Sequence, residues 1–202
     1  MRKLARAAVA ASLLAAGLAL PAGAIPLWTE SIDGDLSNNR LAPTAVSINA
    51  TGSYTLIGTM GAGDLEYLAV TLAPGLSLQT LQHVAYVSTD AISFIAVQNS
   101  PTFTEPPLGT DIANLLGWTH FGAATVATNI LDDICAGAFA IGCTPPLGAS
   151  TYSWWLQQAS GSLTSYTLNF NVNAIPEPGT LPLIGLGLAV LAAAKRRTRL
   201  HA

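Results

Sequence analysis

The chain has 202 residues, 50 % of them apolar and only 9 % charged, with a formal charge of −3. That figure conceals a segregation: seven of the eight Lys and Arg lie before residue 7 or after residue 194, and between residues 25 and 174 ten Asp and Glu stand against Arg40 alone. One cation cannot neutralise a row of phosphates or hold an anionic lipid surface, so nucleic acid is excluded as a partner and anionic lipid is disfavoured for this interval.

Residues 1–24 read as a secretory signal. Arg2, Lys3 and Arg6 form the charged start, residues 7–20 form a short apolar run ending at Pro21, and Ala22-Gly23-Ala24 supplies a small-x-small cleavage site. Ala22 and Ala24 therefore mark the predicted signal peptidase site, with the mature chain beginning near Ile25. No cysteine follows that site and no twin arginine precedes the apolar run, which points to the general secretion machinery and away from lipoprotein anchoring. An uncleaved membrane helix is the alternative, and the apolar run is short for it.

Residues 25–174 are the normal size for one domain with its own core. Their polar residues are largely Ser, Thr, Asn and Gln, which suits a strand-rich exported domain more than a helical one. Asp33-x-Asp35 and Asp64-x-Glu66 each place two carboxylates on one side of an extended segment, a spacing compatible with calcium. Turn-forming, solubilising acids give the same pattern, neither stretch completes a known calcium loop, and no other cofactor is implied. Strands are predicted over 45–50, 53–58, 65–72, 78–87 and 92–98, separated by Gly, Pro, Asn and Asp.

The stretch 102–146 is less regular. Thr128 or Asn129 is placed to cap a short helix running through Ile134, with Pro106-Pro107 and Pro145-Pro146 as loops around it. Asp132-Asp133 at the end of that helix reads as solvated charge or as a catalytic or metal pair. Cys135 and Cys143 are the only cysteines, and in an oxidising compartment an even pair reads as a disulfide; with no histidine nearby, zinc chemistry is poor. His83 and His120 are the only histidines ahead of the tail, and neither belongs to a Gly-x-Ser-x-Gly or His-Glu-x-x-His motif. A Ser-His-Asp triad would have to assemble in space.

Trp118, Trp154 and Trp155 are the candidates for stacking on a sugar. Trp154 and Trp155 are adjacent, so on a strand they point to opposite faces and at least one belongs to the core. Residues 153–158 and 165–172 are predicted to form a terminal antiparallel hairpin, with Tyr166, Leu168, Phe170 and Val172 facing one way. Together these strands predict a mainly β fold: a single β-sandwich or jelly-roll ectodomain, flanked by the signal peptide and a C-terminal transmembrane helix. The order of Asp33-Gly34-Asp35-Leu36, Ala62-Gly63-Asp64-Leu65-Glu66-Tyr67, a strand running to Pro74-Gly75 and the closing strand resembles small secreted modules of the pre-peptidase C-terminal type over residues 30–173.

The tail opens with Ile175-Pro176-Glu177-Pro178. Two prolines fix φ twice and remove two amide donors, which favours an extended segment suited to a protease cleft. Thr180 then caps an apolar helix to Ala194, about 22 Å long against a hydrocarbon core of about 30 Å, and Lys195, Arg196, Arg197 and Arg199 follow. Their positive charge places the end of the chain in the cytoplasm and everything before Pro176 outside.

This order of motif, short helix and basic terminus over 175–202 resembles the PEP-CTERM sorting signal of Gram-negative bacteria; the alternative is an ordinary C-terminal anchor. The resemblance implies that exosortase, a membrane protease, recognises the tail, that Pro176, Glu177 and Pro178 form the processing motif, and that the precursor is tethered in the inner membrane facing the periplasm. It further implies delivery to the cell surface or an exopolysaccharide matrix. The function expected is therefore structural or adhesive and not enzymatic, with a glycan- or calcium-binding module and a secreted hydrolase as the alternatives.

Overall fold

A computed structural model describes residues 23–158 and 160–176. The signal segment through Ala22, Glu177 and Pro178 of the motif, the apolar segment 180–194 and the basic residues Lys195, Arg196, Arg197 and Arg199 lie outside the described residues. Among the described residues no helix is long and apolar enough to cross a membrane.

Among the described residues nine strands and two short α-helices follow in chain order: β1 (Ile25–Thr29), α1 (Glu30–Asp33), β2 (Thr44–Ile48), β3 (Gly52–Met60), β4 (Leu65–Leu72), β5 (Leu76–Val87), β6 (Ile92–Gln98), β7 (Gly117–Gly122), α2 (Leu131–Cys135), β8 (Thr151–Gln157) and β9 (Thr164–Ala174). The strands form a four-stranded sheet in the order β1-β3-β9-β5 and a five-stranded sheet in the order β2-β4-β8-β6-β7. One core fills the space between them: Leu56, Leu168 and Phe170 from the first sheet pack with Leu68, Ile95, Trp154 and Leu156 from the second. This is a two-sheet sandwich, with neither sheet closed into a barrel.

Burial follows the sequence pattern strand by strand. In β9, Tyr166, Leu168, Phe170 and Val172 are all buried while their neighbours are half-buried or exposed, which is the alternation of a sheet with one solvated face. β4 and β8 differ, being buried continuously from Glu66 to Val70 and from Tyr152 to Leu156. Their outer face is covered by a second apolar cluster in which Tyr67, Ala96 and Trp155 meet Phe103 and Leu115 from the irregular stretch. Parts of the 102–146 segment, around Phe103 and Leu115, thus form a lid on the five-stranded sheet, while its β7 joins that sheet and its α2 packs into the shared core. Between β4 and β5, Gly75 sits at φ 81°, a left-handed conformation that glycine adopts without steric cost and that closes the turn after Pro74.

The expected terminal hairpin does not form. β8 pairs with β4 and β6 in one sheet, and β9 pairs with β3 and β5 in the other, so the connection between them crosses the sandwich. The reason is apolar demand: β8 is apolar on both faces and needs a central place under the lid, whereas β9 is apolar on one. β1 and β7 are additional strands that the sequence pattern did not mark. Asp132 and Asp133 lie in the first turn of α2 and not at its end.

Cys135 and Cys143 are joined by a disulfide at a sequence separation of 8. It staples α2 to the loop that returns beneath β7, where the Gly142 amide donates to the Leu116 carbonyl at 3.0 Å. Cross-linking so short a loop restricts the unfolded chain by about 2 to 3 kcal/mol in the chain-entropy account. The double substitution Cys135→Ser, Cys143→Ser is therefore expected to lower the urea-unfolding free energy by about that amount. A change below about 0.5 kcal/mol would show that the loop is already as constrained when unfolded.

Candidate functional site

β1 and α1 bring a carboxylate to the edge of the core. The Thr29 amide donates to Asp33 Oδ2 at 2.8 Å and the Trp28 indole N–H donates to the Gly34 carbonyl at 2.8 Å, which together close the single turn of α1. Glu30 at its start is thereby directed toward β3, where its Oε2 accepts from the Thr59 amide at 2.6 Å and the Thr59 hydroxyl at 3.0 Å. Its other oxygen, Oε1, is shielded from solvent and has no hydrogen-bond partner.

Glu66 arrives from β4. In a strand with period two it shares the core face with Leu68, Val70 and Leu72, and it is 0 % exposed. Its Oε2 accepts from the Tyr166 hydroxyl of β9, and its Oε1 has no partner. Asp35, exposed at the rim, completes a cluster in which one carboxylate oxygen each from Glu30, Asp35 and Glu66 lie within 4.8 Å of one another. Gly58 of β3 makes this approach sterically feasible. A Cβ at that position would collide with the Tyr166 hydroxyl and come within 2.9 Å of Glu30 Oε1.

The electrostatics follow from burial and like charge. Loss of water pushes the Glu66 carboxyl up to about 10; the Tyr166 hydrogen bond opposes this, and the charge of Glu30, a hydrogen bond that protonated Glu66 shares with Glu30, and the charge of Asp64 reinforce it. Asp64 is also raised, first by partial burial and then by Asp35 and Glu30. Burial and the neighbouring Glu66 likewise raise the Tyr166 hydroxyl well above its ordinary 10. No basic side chain offsets the cluster. Arg40, the only one among the described residues, donates instead to the carbonyls of Phe103, at 3.2 Å, and Thr104.

Of the four acids singled out by spacing, Asp35 and Glu66 therefore meet, Asp64 lies close enough to feel Asp35 and Glu30, and Asp33 is used up in holding the α1 turn. Glu30 is the member that spacing missed. Only the fold brings it to Glu66, although the period-two position of Glu66 among core residues was a readable sign that it is not a solubilising charge. Asp132 accepts from the Asn129 side chain at 2.9 Å, and among the described residues neither it nor Asp133 belongs to a group of three metal-ligating side chains.

A second concavity lies on the outer face of the five-stranded sheet. Its volume is about 280 Å³ and its walls include Phe94, Pro107, Ile112, His120, Trp155 and Gln157. Trp155 is 4 % exposed and packs edge-on against Phe94 with centroids 4.8 Å apart; its indole N–H, like Gln157 Oε1, has no hydrogen-bond partner. Trp118 stacks on Phe94 at 6.0 Å and donates to the Ala138 carbonyl at 3.0 Å. Trp154 points the other way, into the shared core. Both adjacent tryptophans are thus buried, on opposite faces, where at least one was expected to be.

His83 is buried, with Nδ1 2.9 Å from the Thr125 hydroxyl and Nε2 3.1 Å from the Ala85 carbonyl. A carbonyl only accepts, so Nε2 donates to Ala85, while the Thr125 hydroxyl beside Nδ1 also donates to the Gly122 carbonyl at 3.0 Å. Burial holds this histidine below its ordinary 6.5, against the opposing effect of hydrogen bonding to the backbone of Ala85 and Thr125. A depressed histidine contributes stability that is present above 6.5 and is lost as pH falls through the folded value. We expect wild type to lose more unfolding free energy between pH 8 and pH 5 than His83→Gln, as read by urea titration; equal losses would place the acid sensitivity elsewhere. His120 packs against Phe94 and Trp118. Among the described residues neither histidine hydrogen-bonds a carboxylate.

β9 runs without a linker into the tail. It ends at Ala174, the Ile175 amide donates to the Gly75 carbonyl at 2.8 Å, and Pro176, exposed, is the last described residue. Comparison with curated proteins and with solved structures gives no match, so the likeness of residues 30–173 to pre-peptidase C-terminal modules rests on sequence pattern alone. Residues 174–197 match the family described as the PEP-CTERM protein-sorting motif. That match begins at the last residue of β9, so the sorting element follows the sandwich directly. The chain carries a PEP-CTERM sorting motif, and it is an exported protein whose membrane-anchored precursor is sorted through exosortase toward the cell surface.

Proposed function

We propose that the sandwich is the delivered cargo and serves a structural or adhesive role at the cell surface or in an exopolysaccharide matrix, without catalysis. The observation that supports this most is the direct passage of β9 into the sorting motif: the folded unit is joined to its sorting element by no more than Ala174 and Ile175. The acidity of residues 25–174 agrees with a solvated surface role, as does the packing of both histidines among aromatics and backbone. Cells deleted for this protein, but intact in exosortase, should shed surface-associated polysaccharide more readily under shear than the parent. Equal retention would remove the structural or adhesive role and leave the sorting assignment untouched.

A glycan-binding reading is favoured by one specific feature, the concavity between Phe94, His120 and Trp155. Aromatic walls suit the apolar face of a sugar ring. Calorimetric titration with exopolysaccharide fragments tests it: binding that Phe94→Ala abolishes supports the cavity as the ligand site, and no heat with the parent protein rejects it.

A further inference from the structure

The carboxylate cluster poses a problem that the sorting function does not solve. A carboxylate taken out of water either holds a proton, as Glu66 does without an ion at neutral pH, or is paired, fully hydrogen-bonded or bound to a metal that displaces the proton. Glu66 is wholly buried, has one oxygen without a donor, and faces two further carboxylates; among the described residues no basic side chain compensates them.

The orientation of the two glutamates is specific. Each is held through one oxygen by a donor from another strand: Glu30 Oε2 by Thr59, and Glu66 Oε2 by Tyr166. With both groups ionised, each leaves its other oxygen, Oε1, without a donor on the shared side, where only a proton held by Glu66 or a cation can satisfy them. Donors that fix one carboxylate oxygen so that the second is free to ligate are the usual outer shell of a metal site. Asp35 supplies a third carboxylate at the rim, exposed and therefore accessible to an ion from solvent. Gly58 keeps the space beside Glu30 Oε1 and the Tyr166 hydroxyl clear of a side chain.

We propose that Glu30, Asp35 and Glu66 bind one calcium ion, which fastens β1 and α1 to the body of the sandwich. All three ligands offer hard oxygen, which disfavours zinc, copper and nickel. They come from a helical turn, a loop and a strand, and so form the irregular, adaptable set that calcium accepts and that magnesium, with its strict octahedron, does not. The ion would supply positive charge where, among the described residues, two acidic oxygens lie dry without a donor. It would also tie the first strand of the exported domain, held otherwise by parallel pairing to β3, to both sheets at once. The proposal stands apart from the structural or adhesive reading, because it concerns binding by the purified protein and not any effect on cells.

The test is calorimetry and thermal unfolding of the full chain, purified in detergent, stripped with EDTA and titrated with calcium chloride. Extracellular calcium modules bind in the 10⁻⁴ to 10⁻³ M range, so 10 mM calcium should raise the melting temperature by about 3 to 10 °C. Asp35→Asn, at the exposed rim, and Glu66→Gln, of the same shape without the charge, should each weaken calcium binding at least about tenfold, by the loss of one charged ligand. Both should still unfold cooperatively in EDTA, and Asp132→Asn should bind as the parent does. Absence of heat and of any thermal shift with calcium overturns the proposal. So does an undiminished response in Asp35→Asn, and an equal or larger response to magnesium overturns the assignment to calcium.

Discussion

Replacing Trp154 by alanine is expected to remove about 3 to 5 kcal/mol of stability, the largest effect of any single side chain in the core. Trp154 is 1 % exposed and lies on β8, the middle strand of the five-stranded sheet, where Leu68 and Val97 flank it in register. Its ring meets Phe170 of the opposite sheet edge-on, with centroids 5.5 Å apart. It therefore joins the sheets at their centre, and the cavity left by alanine would be walled by strands paired on both sides, which cannot close over it. Against the total of about 5 to 15 kcal/mol usual for a domain, such a loss leaves much of the protein unfolded near physiological temperature. Trp154→Phe separates packing from polarity. The indole N–H has no partner in the core, so phenylalanine loses ring volume but also removes a buried donor that itself costs about 1 to 3 kcal/mol. Urea unfolding should give a loss for Trp154→Phe less than half that for Trp154→Ala. A loss below about 1 kcal/mol for the alanine variant would contradict the position assigned to this ring.

The second large effect is on processing. Changing Pro176 and Pro178 together to alanine frees two backbone angles and restores two amide donors, which lets the segment after β9 sample turns and helix in place of one extended form. Misplacing a reacting bond by about 1 Å costs on the order of 100-fold in rate, so the double variant should accumulate as unprocessed precursor in pulse-chase labelling. Glu177→Gln keeps the shape and removes only the charge. Slow processing of that variant would assign the recognition to the carboxylate; normal processing would assign it to the extended backbone. If the double alanine variant matures at the parental rate, the motif is not what the sorting protease reads. Because the Ile175 amide is bound to the Gly75 carbonyl, any cut at this motif takes place within a few residues of a folded sheet.

The strands were legible where one face is wet and one is dry. The run from Tyr166 to Val172 alternates cleanly, and 65–72 and 92–98 coincide with β4 and β6 to the residue. β1 was hidden because Pro26 interrupts it and because it pairs in parallel with a strand 29 residues later, from Ile25 to Tyr54, a contact no local pattern announces. β7 was obscured by a glycine at each end, Gly117 and Gly122. The false hairpin came from sequence proximity outweighing composition. Tyr152-Ser153-Trp154-Trp155-Leu156 carries large apolar groups on both faces, the mark of a strand covered on two sides, and such a strand does not share a sheet edge with one that is half wet.

The acidic cluster was half legible for the same reason. Spacing drew attention to Asp35 and Glu66, but it also drew in Asp33, whose carboxylate is consumed by the Thr29 amide. Glu30 joins Glu66 across three elements, and nothing in the residues around it signals that meeting. The sorting motif, matched over residues 174–197, was legible because it lies in the linear order of residues and not in a fold, while the expected apolar helix 180–194 lies outside the described residues.

Intact mass of the protein recovered from cells with and without exosortase tests the central claim most directly. Export and sorting through the tail require that, in exosortase-proficient cells, the surface-associated form lacks residues 1–24 and also lacks the segment beyond the Pro176 to Pro178 motif. In cells without the enzyme the same protein should stay with the membrane fraction, without its signal segment and with residues 195–199 still attached. A mass that retains the basic end in both strains would contradict the account.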